Sequence, residues 1–121
     1  MNTLVDRFGR RIEYLRLSVT DRCDLRCAYC IPEGFKGFEE PEHWLAFDEI
    51  ERLMRLFAGL GLKRLRLTGG EPLLRRNIVD LSRRLAAIPG MRERSVILYT
   101  FSKKFAMTGW RLGAAIGPKS L

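Results

Sequence analysis

The sequence predicts an α/β fold of about three parallel strands and two helices, and three observations carry that expectation. Residues 14–20 and 64–68 alternate apolar and polar side chains with the two-residue period of half-buried strands. Two other segments place apolar residues at helical spacing. The resulting order, strand–helix–strand–helix–strand, is that of parallel strands with crossover helices, in an open sheet or in part of a barrel.

In the first strand, Tyr14 to Thr20, the side chains of Leu15, Leu17 and Val19 point one way and those of Arg16, Ser18 and Thr20 the other. Cys23 to Phe38 reads as a loop, because Pro32, Gly34 and Gly37 break any regular period. Asp48 opens a helix, with Glu51 completing a capping-box-like pair. Ile50, Leu53, Met54, Phe57 and Leu60 form its apolar stripe, and Gly59 and Gly61 stop it. Arg64 to Thr68 repeats the pattern of the first strand, with Leu65 and Leu67 opposite Arg66 and Thr68, and a Gly-Gly-Glu-Pro turn follows. Arg76 to Ala87 is the second helix, with Ile78, Leu81 and Leu85 on one face and Pro89-Gly90 at its end. Ser95 to Thr100 is a third, more continuously apolar strand.

Composition narrows the class. With 121 residues and 46 % hydrophobic residues the chain has room for one globular domain with a modest core. No apolar run approaches the ~20 residues that span a bilayer, and the N-terminus lacks the apolar segment of a secretory signal. The expectation is a cytoplasmic protein without a membrane partner. The net charge is +8, unevenly spread: residues 1–94 carry 18 Lys and Arg against 14 acids, whereas residues 95–121 carry 4 and no acid. A basic surface suits an anionic small molecule such as a nucleotide, and no nucleic-acid motif is present, so nucleic acid is not expected as a partner.

The cysteines are the most informative feature. All three, Cys23, Cys27 and Cys30, fall within eight residues. An odd number this tightly clustered is a poor disulfide framework and reads as a metal or cluster site in a reducing compartment. The spacing is C-x3-C-x2-C in a loop after a strand. Three thiolates can hold three irons of a 4Fe–4S cluster and leave the fourth iron open to a small molecule. Structural zinc, with His43 as a fourth ligand, is the alternative, although zinc sites usually pair C-x2-C with a second, distant ligand pair.

Arg16 and Arg66 occupy the polar faces of the first two strands. In a barrel the leucine faces would meet the outer helices and both arginines would point inward, where buried charges require an anionic partner. On an open sheet both would face solvent.

The cysteine spacing with an aromatic residue, Tyr29, just before the last cysteine resembles the signature of the radical S-adenosylmethionine (SAM) superfamily. The runs YLRLSVTDRCDLRCAYCIPEG and RLTGGEPLLRRNI are similar to the GTP 3',8-cyclases of molybdenum-cofactor biosynthesis, from about residue 4 to about residue 94. The resemblance implies a truncated partial (β/α) barrel in a lyase lineage that converts GTP to 3',8-cyclic 7,8-dihydro-GTP. It implies that Cys23, Cys27 and Cys30 hold the 4Fe–4S cluster, that Tyr29, Gly70 and Glu71 contact SAM, and that Arg16 and Arg66 contact GTP. The implied chemistry is reductive cleavage of SAM to a 5'-deoxyadenosyl radical, which takes a hydrogen from the GTP ribose so that the ribose carbon closes onto the guanine.

Two departures qualify that implication. A full (β/α)8 barrel takes ~250 residues, and the family's second three-cysteine cluster has no counterpart after Cys30. Beyond Arg94 the run SVILYTFSKKFAMTGWRLGAAIGP looks like the lysine segment of a fold-type-I, pyridoxal-phosphate (PLP) aminotransferase. In that likeness Lys103 matches the Schiff-base lysine and Arg111 the arginine on the PLP phosphate. The alternative for Lys103 is a solvated basic residue. The expected organisation is therefore a chimera: residues 1–94 as a radical SAM half-barrel with the cluster loop, and residues 95–121 as a foreign aminotransferase-like segment, not an independent domain. A half-built parallel sheet leaves a strand edge and apolar faces uncovered, which predicts self-association.

Overall fold

Two strands, β1 (Tyr14–Ser18) and β2 (Arg64–Thr68), pair in parallel without offset, so that Leu15 lies beside Leu65, Arg16 beside Arg66 and Leu17 beside Leu67. In this computed structural model residues 3–27, 29–31, 33–35, 37, 44–94, 96–100, 109 and 113–119 are described. The helices are α1 (Phe47–Gly59), between the two strands, and α2 (Ile78–Ala86), after β2. The α/β architecture with parallel strands and two helices is the one expected from the sequence.

The alternation of each strand sorts its side chains. Leu15, Leu17, Leu65 and Leu67 pack against a core formed by Val19, Ile50, Met54, Leu62, Ile78, Leu81, Leu85, Ile88 and Met91. Ile50 and Met54 come from α1, and Ile78, Leu81 and Leu85 from α2, so one face of the sheet carries both helices. The opposite face presents exposed Tyr14, Arg16, Arg64 and Arg66. Lys63 ties the beginning of the two strands together: its ammonium lies 2.7 Å from Glu13, and its backbone N–H donates to the Glu13 carbonyl. The hydrogen-bonded ammonium holds the Glu13 carboxyl below its ordinary value.

The helix boundaries differ in detail from the sequence expectation. α1 begins one residue before Asp48, with Ala46 at the cap, and the Glu49 carboxylate accepts the Ala46 N–H at 2.7 Å. Asp48 and Glu51 are thus not a capping pair. Asp48 instead pairs with Arg84 of α2, and Glu51 with Arg55 one turn on. Gly59 remains helical, and the stop falls at Gly61, whose mechanism is visible. Gly61, at φ +92°, donates to the Ala58 carbonyl while Leu62 donates to that of Phe57, a Schellman closure that needs a left-handed residue. α2 starts at Ile78 rather than Arg76, because Asn77 is left-handed at φ 59° and the chain before it forms a 3-10 turn, Pro72–Leu74.

The third strand forms but joins no parallel sheet. β3 (Ile97–Thr100) pairs antiparallel with β4 (Gly113–Ile116), matching Ile97 to Ile116 and Thr100 to Gly113. Among the described residues the parallel sheet therefore has two strands rather than three.

Leu81 has no exposed surface, while Val79 on the same helix is 67 % exposed. Leu81→Ala is expected to cost about 2–5 kcal/mol and Val79→Ala less than about 0.5 kcal/mol, read from urea unfolding midpoints.

Candidate functional site

The site is built at the carboxyl ends of β1 and β2, the end at which open α/β sheets hold ligands. The two strands finish side by side, Ser18 beside Thr68, and the Val19 N–H still donates to the Thr68 carbonyl at 2.9 Å. From there β1 runs into the cysteine loop and β2 into Gly69-Gly70-Glu71.

These two exits are bonded to each other. The Gly70 N–H donates to the Thr20 carbonyl at 3.0 Å and the Glu71 N–H to the Arg22 carbonyl at 2.8 Å. Thr20 is buried, and its hydroxyl oxygen accepts the Arg22 N–H at 3.1 Å, which fixes the bend that leads to Cys23. The approach is close enough to dictate glycine. A Cβ on Gly69 would overlap the Thr20 carbonyl oxygen, and one on Gly70 would stand 2.6 Å from the Asp21 carbonyl oxygen. Gly69 also has φ +150°, a conformation glycine adopts freely. The Glu71 carboxylate accepts the Leu73 N–H at 3.1 Å and so caps the 3-10 turn that follows.

In the cysteine loop, Cys27 accepts N–H groups from Cys30 at 2.9 Å and Ile31 at 3.0 Å, so the chain turns back between the second and third cysteines. The Arg26 guanidinium folds onto the carbonyls of Cys23 and Leu25. All three thiols are free; Cys23 and Cys27 are half-buried and Cys30 is exposed. Tyr29 is 81 % exposed, so its ring is not spent in the core. Among the described residues no three His, Cys, Asp or Glu side chains are gathered to hold a metal ion. The donor chemistry fits an iron–sulfur cluster, three soft thiols within eight residues, and gathering them requires closing a loop that is already exposed.

Arg16 and Arg66 are adjacent across the strands and exposed on the face opposite the helices. Neither is buried, so the open-sheet alternative describes them here. Arg66 and Arg64 both approach the Tyr14 ring, at 5.9 and 5.7 Å from its centroid. Two like charges side by side in a ladder disfavour the pairing unless an anion or solvent separates them. His43, Lys103 and Arg111 lie outside the described residues.

Two features escaped the sequence reading. One is the Thr20–Arg22 segment as the partner of the glycine turn. The other is Arg75, which belongs to the Arg-Arg pair after the turn and reaches back to the Val19 carbonyl just beyond β1. An open recess of about 350 Å³ lined by Phe47, Asp48, Arg75, Arg76, Asn77 and Arg84 contains none of the expected site residues. No helix among the described residues is long and apolar enough to cross a membrane.

The sequence profile described as Radical SAM superfamily matches residues 17–105. The chain is 56 % identical over 93 residues to a protein named GTP 3',8-cyclase 1 from Pseudomonas aeruginosa, covering 77 % of this chain and 28 % of that protein. It is 53 % identical over 91 residues to the GTP 3',8-cyclase of Moorella thermoacetica, covering 75 % and 28 %. It is 43 % identical over 110 residues to that of Stenotrophomonas maltophilia, covering 91 % and 33 %. The chain thus spans roughly a third of the length of the curated relatives it matches. No solved structure matches it.

The two glycine environments make opposite predictions. Gly69→Ala forces the Thr20 carbonyl aside and is expected to destabilise by more than about 1 kcal/mol, with faster amide exchange at Gly70 and Glu71. Gly59, in the last turn of α1, has open space at its Cβ position. Gly59→Ala is expected to stabilise by about 0.4–1 kcal/mol in the same unfolding assay.

Proposed function

The chain belongs to the radical SAM superfamily, and from that premise we propose that it is the SAM- and cluster-binding N-terminal part of a GTP 3',8-cyclase. The observation that carries the reading is the bonding of the cysteine loop's first residues to the Gly-Gly-Glu turn at the ends of two parallel strands. That contact brings a thiol-rich loop and a backbone-lined anchor to one place, as a chelated ligand requires. When bound, a 4Fe–4S cluster supplies the electron that cleaves SAM to a 5'-deoxyadenosyl radical.

Each residue has a role in this reading. Cys23, Cys27 and Cys30 would hold the cluster. The Glu71 carboxylate accepts a single backbone N–H, which leaves acceptor capacity for the ammonium of the SAM methionine. The Gly70 carbonyl would accept from the same group. The exposed Tyr29 would pack on SAM. Arg16 and Arg66, adjacent and both positive, would receive GTP, whose negative charge offsets their mutual repulsion. The reaction this segment serves is 3',8-cyclisation of GTP, a lyase reaction of molybdenum-cofactor biosynthesis in the cytoplasm.

Residues 95–121 are proposed as a segment of aminotransferase origin joined through a shared strand. The support is that β3 pairs with β4, both within that segment, rather than with the parallel sheet. The superfamily match continues to residue 105, past the proposed junction, so this reading takes β3 as a strand common to both parts. In this reading Lys103, without the rest of a PLP site, has no cofactor to hold. Treatment with PLP and borohydride is expected to label it no more than the other lysines; preferential labelling would assign it a PLP site.

Among the described residues no further strand pairs with the edges of the two-stranded sheet, and this, with exposed Tyr14, Leu53, Leu56 and Val79, supports self-association. Sedimentation at increasing concentration is expected to show growth beyond the 14.0 kDa monomer; a single monomeric species throughout would refute it.

The reading of the site is tested by anaerobic reconstitution with iron and sulfide, followed by reductant and SAM. The expected product is 5'-deoxyadenosine, abolished in Cys27→Ala. Arg16→Ala and Arg66→Ala are each expected to weaken GTP binding about tenfold, the loss of one charge-assisted hydrogen bond. A protein that takes up zinc and no iron would overturn the cluster assignment.

A further inference from the structure

One guanidinium bonds to the chain on both sides of the cysteines. Arg75 donates through Nη1 to the Val19 carbonyl at 3.2 Å and through Nη2 to the Leu45 carbonyl at 3.3 Å. Val19 directly precedes the Thr20–Arg22 segment, and Leu45 directly precedes the cap of α1. Every cysteine of the chain lies between these two anchor points. The same guanidinium lies 4.6 Å from the centroid of the Trp44 ring and 5.4 Å from that of Phe47, which adds cation–π attraction on the departing side of the loop.

Arg75 is itself held where the glycine turn ends. Its backbone N–H donates to the Pro72 carbonyl at 3.1 Å, closing the 3-10 turn that Glu71 caps. The Gly-Gly-Glu turn, the first residues of the cysteine loop and the last are thereby tied by one side chain. The cost of bringing the ends of a long loop together rises only slowly with its length, so a single two-point clamp at its base can offset much of it.

We infer that Arg75 is a positioning residue that staples both ends of the cysteine-bearing loop and so keeps its thiols beside the glycine turn. The inference rests on the cluster-holding reading of Cys23, Cys27 and Cys30. It assigns Arg75 no contact with SAM or GTP. A lysine cannot replace it, because a single ammonium lacks the planar fork that reaches two carbonyls while lying on a ring.

The test is the rate at which reconstituted protein loses iron to an excess of a ferrous chelator. Arg75→Met is expected to release iron about tenfold faster than wild type, the usual scale for losing a residue that orients metal ligands. Arg75→Lys is expected to resemble Arg75→Met. Ile88→Val, a core change away from the loop, controls for general destabilisation and is expected to keep the wild-type rate. A wild-type rate in Arg75→Met, full recovery in Arg75→Lys, or equal acceleration in Ile88→Val would each overturn the staple. If the wild-type chain takes up no iron, the proposed function fails, and the staple is judged on the iron-free protein by hydrogen exchange. Amides of Gly70 and Glu71 exchanging about tenfold faster in Arg75→Met, with α2 amides unchanged, would sustain it; unchanged exchange at Gly70 and Glu71 would overturn it.

Discussion

A carbonyl oxygen stands where the side chain of residue 69 would have to be. The Gly69–Glu71 turn comes so close to the Thr20–Arg22 backbone that neither glycine tolerates a Cβ. The two hydrogen bonds between the segments are backbone to backbone. This contact follows from pairing β1 with β2 in register, because strands that end level deliver their following turns to the same place. The bend before Cys23 and the 3-10 turn capped by Glu71 flank it on either side. A slip of one residue in the pairing would turn the leucines to solvent and separate the turns, so the hydrophobic face fixes the geometry of the site.

The polar face of the same sheet shows the converse. Nothing in the core requires arginine at positions 16 and 66, and placing two guanidinium groups side by side works against strand pairing. Propensity does not favour the choice, for valine or threonine would suit the ladder better. The aromatic ring of Tyr14 lies near Arg64 and Arg66 and offsets part of the repulsion. An arrangement that weakens folding locally and gathers positive charge beside a proposed cofactor site is what a binding face for an anion demands.

Much of this was legible in the sequence because it depends on period. Leu15, Leu17, Leu65 and Leu67 were assigned to the packed side by alternation alone, and Ile50, Met54, Ile78, Leu81 and Leu85 by helical spacing. Gly61 was legible as a stop because a left-handed residue is nearly always glycine. What failed depended on partners distant in sequence. Asp48 looked like a cap, yet Arg84, brought alongside by α2, takes its carboxylate. Arg75 and Arg76 are alike to any local reading, and the carbonyls that distinguish them come from Val19 and Leu45. Ile97 to Thr100 form a strand within the segment expected to be extended, but the choice of partner strand is not written in the strand itself.

That choice has a physical logic. A parallel neighbour for β2 must be reached by a crossover, whereas an antiparallel neighbour needs only that the chain turn back on itself. β4 lies within twenty residues of β3 and supplies Gly113, Ala114 and Ala115, whose small side chains let the two backbones pair with little steric demand. Once β3 is occupied in this way it adds nothing to the edge of β2, and the leucine face is completed by helices alone. The helices suffice for the core, since Leu81 and Met54 are shielded from water without a third parallel strand. Among the described residues the polar face has no such cover. The cysteine loop, the glycine turn and the two arginines all lie at the sheet or its end, so a ligand filling that face would add packing where the chain by itself has least. Under the proposed function binding and stability would be coupled: a ligand bridging Arg16 and Arg66, or one drawing the three thiols together, would stabilise the fold by the same contacts through which it is recognised.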